Sequence, residues 1–467
     1  MRALVFLLVG AFVLAGCVES NEPAATKKTA RGKLPVVGAV LNVVPDDLMT
    51  FTEHIVTPAV SFGNDLYEPT MEVSDTGVIY VTGHTILVDT TGAPVFMSKD
   101  QGKTWSQLPF AASTSMPPPL HGATPPPSDE IFLAAGDNGW LYGVDITAVT
   151  FPVNAWSGNG AMHSYHNPNA YNRVDSVASV CGAVGLNDRP WAAYAKGKLL
   201  MVNNPGGGAA PLGRVEVGVM DVPPTVPVGI GAPVVGAKWN YCATVGGSIP
   251  GVPDMRDDHF FAVPQVQPGK LVVVTGNAAD VMKVKVTEVF PNTNSGGGTS
   301  NGGRVAFDAE GTLFVGIRNN TRPDSQGVSK GQLHLAVSTD DAQTFVSRTL
   351  TVGGATSAIY LDGNTKGPGA LIMWAQQAET PPGTDWYVGH LMVGEDGGPV
   401  VENVTRVVKS GPPTSAHVQG AAVGPDGRAH IVTFHGGGSP TNQKAPLHVW
   451  IQQEGPTLPS VTLPALT

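Results

Sequence analysis

The sequence predicts an all-β protein built as a β-propeller of four-stranded blades, with seven blades as the main expectation and six as the alternative. Two observations predict this fold. The 467 residues include 58 glycines and 40 prolines but only 14% charged residues, which is typical of many short strands joined by tight turns. A strand-turn-strand pattern also recurs along the chain, and no segment shows sustained helical periodicity.

Each repeat is a hairpin whose turn ends in glycine, as in TMEVSDTGVIYVTG. Glycine after Asp, Asn or Pro supplies the positive φ that tight hairpins require. Most successive turns lie about 58 residues apart, which leaves room for the four short strands of one blade, although the spacing is uneven around the fourth turn. The seven turn glycines are Gly77, Gly139, Gly197, Gly269, Gly311, Gly369 and Gly427.

The ends of the predicted ring must meet for the propeller to close. We expect a strand near Phe51 to Val56 to complete the blade whose other strands come from the C-terminus. Such closure would hide the sheet edges that an open array leaves free for aggregation.

The N-terminus, MRALVFLLVGAFVLAGC, has Arg2 before an apolar run that is too short to span a bilayer, which predicts an export signal. Its last four residues, LAGC, resemble the lipobox of bacterial lipoproteins, which implies that Cys17 is lipidated and becomes the first residue. An ordinary signal peptide or an uncleaved anchor is the alternative. We expect a signal peptide over 1–16, a flexible tether over 17–33 and the propeller over 34–467.

The lipobox resemblance also predicts where the protein resides. Several acyl chains on one cysteine give stable membrane attachment, so the exported chain would be anchored to the cell envelope. Val18 rather than Asp follows the cysteine, which indicates the outer membrane in a Gram-negative host.

The chain has three cysteines, and lipidation of the first leaves Cys181 and Cys242 as a pair in an oxidising compartment. A disulfide between them is the main expectation. Two separate buried thiols are the alternative, because spacing alone does not establish contact.

Two segments share the pattern S-x-D-x-x-x-T-aromatic and resemble the Asp box of the bacterial neuraminidase repeat. The first, SKDQGKTW, is complete, whereas the second, STDDAQTF, has Ala in place of Gly and Phe in place of Trp. The resemblance implies a structural turn between the third and fourth strands of a blade, on the face away from the active site. The residues concerned are Ser98, Asp100, Gly102, Thr104 and Trp105, and Ser338, Asp340, Thr344 and Phe345.

The resemblance to sialidases does not extend to their catalytic residues. Their F/Y-R-I-P signature is absent, since YEPT stands in the comparable place, and too few arginines precede the repeated hairpins to grip a carboxylate. The phrase NDRPW is also similar to a motif of exported Asp-box propellers. We expect ligand-binding residues just before the hairpins, where a propeller chain enters its inner strands. The candidates are Glu68, Asp188, Arg189, Asp258, His259 and Arg304, and no catalytic residue is assigned.

The net charge and the absence of certain motifs exclude several classes of function. A net charge of −10 argues against a nucleic-acid partner, and no metal-ligand spacing or cofactor motif appears, so neither a metal nor a cofactor is expected. The main hypothesis is a membrane-anchored propeller that binds a protein or glycan on its central face. The alternative is an exo-acting glycoside hydrolase of the sialidase-like type. The oligomeric state is left open.

Overall fold

The computed structural model describes the propeller strands and many of their turns. The described residues are 41–42, 45–57, 67–84, 94–108, 130–146, 153–156, 162–165, 187–205, 214–222, 233–234, 239–246, 249–267, 269–291, 303–320, 331–378, 383–411, 420–434 and 446–460. Residues 35–467 form one compact unit. Within the described ranges, the only helical segment is a short 3₁₀ turn at Asp137–Gly139.

The first four blades follow one another along the chain. The first contains β3 (Tyr67–Val73), β4 (Ile79–His84), β5 (Val95–Ser98) and β6 (Ser106–Gln107). The second contains β7 (Glu130–Ala135), β8 (Leu141–Ile146), β9 (Val153–Trp156) and β10 (Met162–Tyr165), with β14 (Pro233–Val234) at its edge. The third contains β11 (Asn187–Ala195), β12 (Lys198–Pro205), β13 (Arg214–Asp221) and β15 (Trp239–Gly246). The fourth contains β17 (Asp254–Met255), β18 (Phe260–Gln267), β19 (Lys270–Asn277) and β20 (Asp280–Pro291), and β16 (Ile249–Pro250) also pairs with β18.

Three further sheets complete the ring. The fifth contains β21 (Arg304–Phe307), β22 (Leu313–Asn320), β23 (Gly331–Ser338) and β24 (Val346–Val352), with β1 (Leu41–Asn42) at its edge. The sixth contains β25 (Thr356–Gly363), β26 (Ala370–Gln377), β27 (Thr384–Val393) and β28 (Pro399–Gly411). The seventh contains β29 (Gly420–Val423), β30 (Ala429–Phe434), β31 (Leu447–Glu454) and β2 (Thr50–Val56).

The inner strands contact one another in sequence and close into a circle. The strand β3 packs on β7, β7 on β11, β11 on β17, β17 on β21, β21 on β25, β25 on β29, and β29 again on β3. The predicted all-β propeller of four-stranded blades is therefore confirmed, and each of the seven repeated hairpins belongs to a sheet of its own.

The last blade joins both ends of the ring. Strand β2 runs antiparallel to β31, with Thr52 opposite Ile451 and His54 opposite Val449. The expected strand at residues 51–56 thus completes the C-terminal blade, and this prediction is confirmed. The pairing gives β31 a partner on each side, so its backbone is no longer an open edge.

The fourth blade corrects the sequence prediction. Gly269, with φ of 76°, lies in the turn between β18 and β19, which are the second and third strands of that blade. The inner hairpin is instead the turn at residues 256–259, which contains no glycine. Because this turn lies roughly midway between Gly197 and Gly311, the repeat is regular and the uneven spacing disappears.

Apolar side chains fill the space between blades. In β19 the six central residues are buried, because neighbouring blades cover both faces of the sheet. Phe132 of the second blade packs on Trp191 of the third with ring centroids 4.2 Å apart. Because both faces of such a strand are covered, its sequence contains a continuous run of apolar residues, as in LVVV, and does not alternate apolar with polar residues.

The ring has two faces, which we name after the turns or loops that lie on them. The hairpin face carries the turns between the first and second strands of each blade, together with the turns between the third and fourth. The loop face is the opposite end, where the chain enters the inner strands, and most of its loop residues lie outside the described part of the chain.

Candidate functional site

The structure separates the sequence-predicted ligand residues. Glu68 lies in β3 and Asp188 and Arg189 lie in β11, but their side chains are outside the described part. Asp258 and His259 do not precede an inner strand. They lie in the inner turn of the fourth blade, on the hairpin face, because the hairpin at Gly269 is not the inner one. The prediction that they lie at the start of an inner strand is wrong for this reason.

The acidic residues in the inner turn of the fourth blade form hydrogen bonds within that turn. Asp257 Oδ1 accepts hydrogen bonds from the backbone N–H groups of His259 and Phe260 at 2.8 and 2.9 Å. Asp257 Oδ2 binds Arg256 at 3.0 Å, and Asp258 contacts the His259 ring at 2.8 Å. Although the ligand atoms of 257–259 lie within 4.8 Å of one another, these contacts make the group a capped turn.

Arg304 begins β21 and is 1% exposed. Its guanidinium carbon lies 5.3 Å from the Trp191 ring centre and 5.4 Å from that of Tyr360. Arg304 Nη1 also donates a hydrogen bond to the Gly303 carbonyl at 2.9 Å. The guanidinium is therefore buried inside the ring, between inner-strand residues of the third and sixth blades and beside Tyr360.

Three carboxylates occupy one equivalent position of the propeller. Glu72, Asp254 and Asp362 are each the second-last residue of an inner strand, in the first, fourth and sixth blades. The corresponding residue is Ala in the second, fifth and seventh blades. These acidic residues were missed at the sequence level, although their constant place before the inner turn was a usable signal.

Each of these carboxylates bonds to the next blade. Asp254 Oδ2 accepts the N–H of Phe307 at 2.7 Å, and Asp362 Oδ2 accepts the N–H of Val423 at 2.7 Å. Glu72 accepts the N–H of Ala135. The three N–H groups belong to the last residues of the neighbouring inner strands. Since the inner edge of a propeller blade has no adjacent strand, a side-chain acceptor satisfies a donor that the sheet leaves unpaired.

Burial raises the pKa of these acids. It brings the pKa of Asp254 and of Asp362 to about 7 in spite of the opposing backbone hydrogen bonds. Burial also raises the pKa of Glu72 well above its usual value, and the charges of Asp362 and Asp254 add to that shift. Near neutral pH these three carboxyl groups are therefore partly protonated.

The three carboxylates line a cavity of about 700 Å³ at the centre of the ring. Turn residues such as Lys196, Asp308 and Gly311 form its rim, so it opens on the hairpin face. Among its described lining residues, six are acidic and two, Lys196 and Arg256, are basic. Arg256 is paired with Asp257, which is one of the six acids, and with Asp341, so the lining keeps an excess of acidic residues. The buried Arg304 guanidinium lies beside this lining, 5.4 Å from the centre of the Tyr360 ring.

Tyr360 supplies a polar group to this cavity. The side chain is 7% exposed and lines the cavity. Burial raises the pKa of its hydroxyl, the charges of the three carboxylates add to that shift, and the charge of Arg304 opposes it. No described residue hydrogen-bonds to this hydroxyl. A buried hydroxyl without a protein partner is available to a ligand.

The turns Ser98–Trp105 and Ser338–Phe345, which we call the aspartate turns, have the same internal bonding. Asp100 accepts hydrogen bonds from Ser98 Oγ, Thr104 N and Thr104 Oγ1 at 2.9, 2.9 and 2.6 Å. Asp340 accepts the equivalent bonds at 2.8, 2.9 and 2.6 Å. The bonds from Thr104 lower the pKa of Asp100 to about 2.

Both aspartate turns join the third strand of a blade to the fourth, so they lie on the hairpin face. Trp105 packs on the apolar cluster of the first and seventh blades, and Phe345 packs on that of the fourth and fifth. The sialidase resemblance implies a ligand site on the opposite face. The described cavity opens instead on the same face as these turns.

The remaining sequence predictions fall outside the described residues. Cys17, the signal peptide, the tether and Cys181 are not described, and Cys242 is described only as part of the backbone of β15. Lipidation and the disulfide stay predictions. None of the described residues forms a helix long and apolar enough to cross a membrane.

No known protein family matches the sequence, and no curated protein is detectably similar to it. Similar solved structures include a protein of unknown function from Dyadobacter fermentans, at 13% identity and a TM-score of 0.42, with 86% of this chain and 98% of that chain covered. U3-55K is similar at 9% identity and 0.47, with 86% and 98% covered. An alpha-L-arabinanase of Penicillium chrysogenum complexed with arabinobiose is similar at 13% and 0.41, with 87% and 98% covered. We draw no conclusion about ligand or reaction from them.

Proposed function

We propose that this protein is an exported, lipid-anchored β-propeller that binds a protein or glycan ligand in its central channel. The observation that carries the proposal is the cavity of about 700 Å³ on the hairpin face, lined by Glu72, Asp254, Asp362 and Tyr360. A concave site of this size with a few convergent polar groups is typical of ligand binding. Cys17 and its lipobox-like context support the membrane anchor.

The bonding of the carboxylates favours binding over catalysis. Asp254 uses Oδ2 for the Phe307 N–H and Oδ1 for its neighbour Met255. A general acid or nucleophile needs an oxygen that can approach the scissile bond, whereas both oxygens of Asp254 are held by backbone donors. The acidic cavity is equally unsuited to sialic acid, whose carboxylate requires cationic partners.

A glycoside hydrolase is the second candidate, and one observation supports it. Asp254 and Asp362 share a cavity and both have a pKa of about 7, as a carboxyl group that donates a proton near neutral pH must. We still expect the purified protein to release no methylumbelliferone from its sialoside. Release that Arg189→Ala abolishes would put the hydrolase hypothesis first.

Binding is tested with glycan and peptide arrays that are probed with the full-length protein in a nonionic detergent. The wild type should give specific signals that the double substitution Glu72→Gln and Asp362→Asn weakens at least tenfold. Asp280→Asn removes one charge at the outer part of the same face, where Asp280 pairs with Lys283, and should leave the signals unchanged. Absence of any signal, or signals that all three proteins share, would contradict the proposal.

The anchor is tested separately in cells. The wild-type protein should partition into the detergent phase, and Cys17→Ala should release it or leave it unprocessed. A soluble wild-type protein that begins at another residue would contradict lipidation.

A further inference from the structure

We propose that the cavity on the hairpin face binds the cationic head of a Lys or Arg side chain presented by a partner polypeptide. This inference rests on the proposed function, since it names the ligand chemistry of the same channel. Three groups of the described site carry it: the inner-strand carboxylates, the Tyr360 hydroxyl and the apolar part of the lining.

The carboxylates set the charge of the ligand. Glu72, Asp254 and Asp362 face one cavity in which acids outnumber bases six to two among the described lining residues. Burying like charges together is costly, and a cation placed among them offsets that cost. An anionic ligand is excluded on the same grounds.

The spacing of these carboxylates favours an organic cation over a metal ion. Among the described residues, the only three potential ligand atoms within 4.8 Å of one another are those of the capped turn at 257–259. The oxygens of Glu72, Asp254 and Asp362 do not converge this closely. A metal ion draws oxygen ligands to about 2.0–2.6 Å, whereas an ammonium or guanidinium group spreads several donors over a wider space.

The Tyr360 hydroxyl is the second, independent feature. It is buried near the three carboxylates and the Arg304 guanidinium, and no described residue hydrogen-bonds to it. Its position beside the acids fits a ligand that brings hydrogen-bond donors, since the hydroxyl oxygen can accept one of them.

The apolar part of the lining suits the methylene stem of a long cationic side chain. Small or aliphatic residues line the wall beside the acids, and they include Ala134, Ala135, Ala192, Ala193, Leu361 and Val423. Lys and Arg bury their methylene stems on such surfaces while the charged head continues to a polar partner.

The inference is tested by isothermal titration calorimetry with the full-length protein in a nonionic detergent. Argininamide is the ligand, and citrullinamide is the uncharged control of similar shape. At pH 8 argininamide should bind at least tenfold more tightly than citrullinamide. Its affinity should fall severalfold by pH 5, because protonation removes the negative charges. Equal affinity for the two probes would overturn the inference.

Variants assign the site. The pair Glu72→Gln and Asp362→Asn should weaken argininamide at least tenfold, while Asp280→Asn should leave it within twofold. Tyr360→Phe removes only the hydroxyl, so it should fold normally and weaken binding about threefold or more. Unchanged affinity in Tyr360→Phe together with unchanged affinity in the double variant would overturn the inference.

Titrations with glucosamine, a cationic sugar, and N-acetylglucosamine, its uncharged counterpart, test whether the ligand is a sugar instead of a polypeptide side chain. If glucosamine binds more tightly than argininamide, the polypeptide assignment is overturned. If an array ligand binds in the channel but neither cation does, the proposed binding function stands and the cation inference fails. If the array gives no ligand and argininamide binds as expected, the channel is a cation site, and the claim that it binds a partner polypeptide or glycan is contradicted.

Discussion

Asp254 in the fourth blade accepts a 2.7 Å hydrogen bond from the backbone N–H of Phe307 in the fifth, across 53 residues of sequence. The same relationship joins Asp362 to Val423 and Glu72 to Ala135. The carboxylates that line the cavity thus also hold adjacent blades together. A substitution at these positions is therefore expected to affect both the stability of the ring and the proposed binding.

The first prediction concerns this contact. Asp254→Ala leaves the N–H groups of Phe307 and Met255 without their acceptor, and we expect a loss of about 1–3 kcal/mol in the free energy of unfolding. Asp254→Asn keeps one oxygen acceptor and should lose less. Urea denaturation measures both, with Asp280→Ala as an exposed control expected within about 0.5 kcal/mol of the wild type. An Asp254→Ala protein as stable as this control would contradict the bridging role.

The second prediction concerns pH. Because the folded-state pKa of Asp254 and Asp362 is about 7, above the unfolded value of 3.8, the folded state holds protons that the unfolded state has already released. Their contribution is fully present below about pH 4 and is lost as pH rises through about 7.

The variant Asp254→Asn, Asp362→Asn should therefore lose less stability than the wild type between pH 5 and pH 8. Urea melts at unit intervals of pH measure the difference. Parallel stability curves for the two proteins would show that these pKa values are not raised.

The third prediction compares two turn glycines. Gly102 and Gly269 have φ of 78° and 76°, so an alanine is strained at either position. A Cβ at Gly102 would also lie 2.7 Å from Ile451 Cδ1 and 2.9 Å from His54 Cδ2, whereas a Cβ at Gly269 meets nothing within 4 Å. Gly269→Ala should cost about 1 kcal/mol and Gly102→Ala clearly more, as measured by urea denaturation. Equal losses would show that the seventh blade does not pack closely on this turn.

The fourth prediction concerns ring closure. Deleting residues 34–57 removes β2 and exposes the edge of β31, so unfolding should become less cooperative and the protein should aggregate. Deleting residues 18–33, within the predicted tether, is the control and should leave the thermal transition unchanged. A sharp, unshifted transition in the first deletion would contradict closure through β2.

The sequence predicted the architecture because most inner turns carry a glycine that the positive φ requires. The fourth inner turn has no glycine and is capped by Asp257. The glycine pattern therefore points to Gly269 instead and places Asp258 and His259 on the wrong face. The closing strand β2 is predicted because a closed ring needs a strand that completes the C-terminal blade.

The site was harder to predict, for a physical reason. The role of Glu72, Asp254 and Asp362 depends on a backbone N–H in the next blade, and the cavity appears only when seven inner strands meet. The recurring place of these acids before the inner turn is visible in the sequence, but the partner N–H and the cavity are not. Tyr360 was missed because a tyrosine in a buried strand usually serves packing, and only the folded ring shows that its hydroxyl reaches the cavity.

The binding role of the channel is tested most directly by titrating argininamide into the protein at pH 7 in two buffers with different ionisation enthalpies. This pH is close to the raised pKa of about 7 of Asp254 and Asp362, and a bound cation would lower both pKa values. We predict net proton release on binding, reduced in the Asp254→Asn, Asp362→Asn variant. Binding without proton exchange, or with the same exchange in that variant, would contradict a ligand site among these carboxylates.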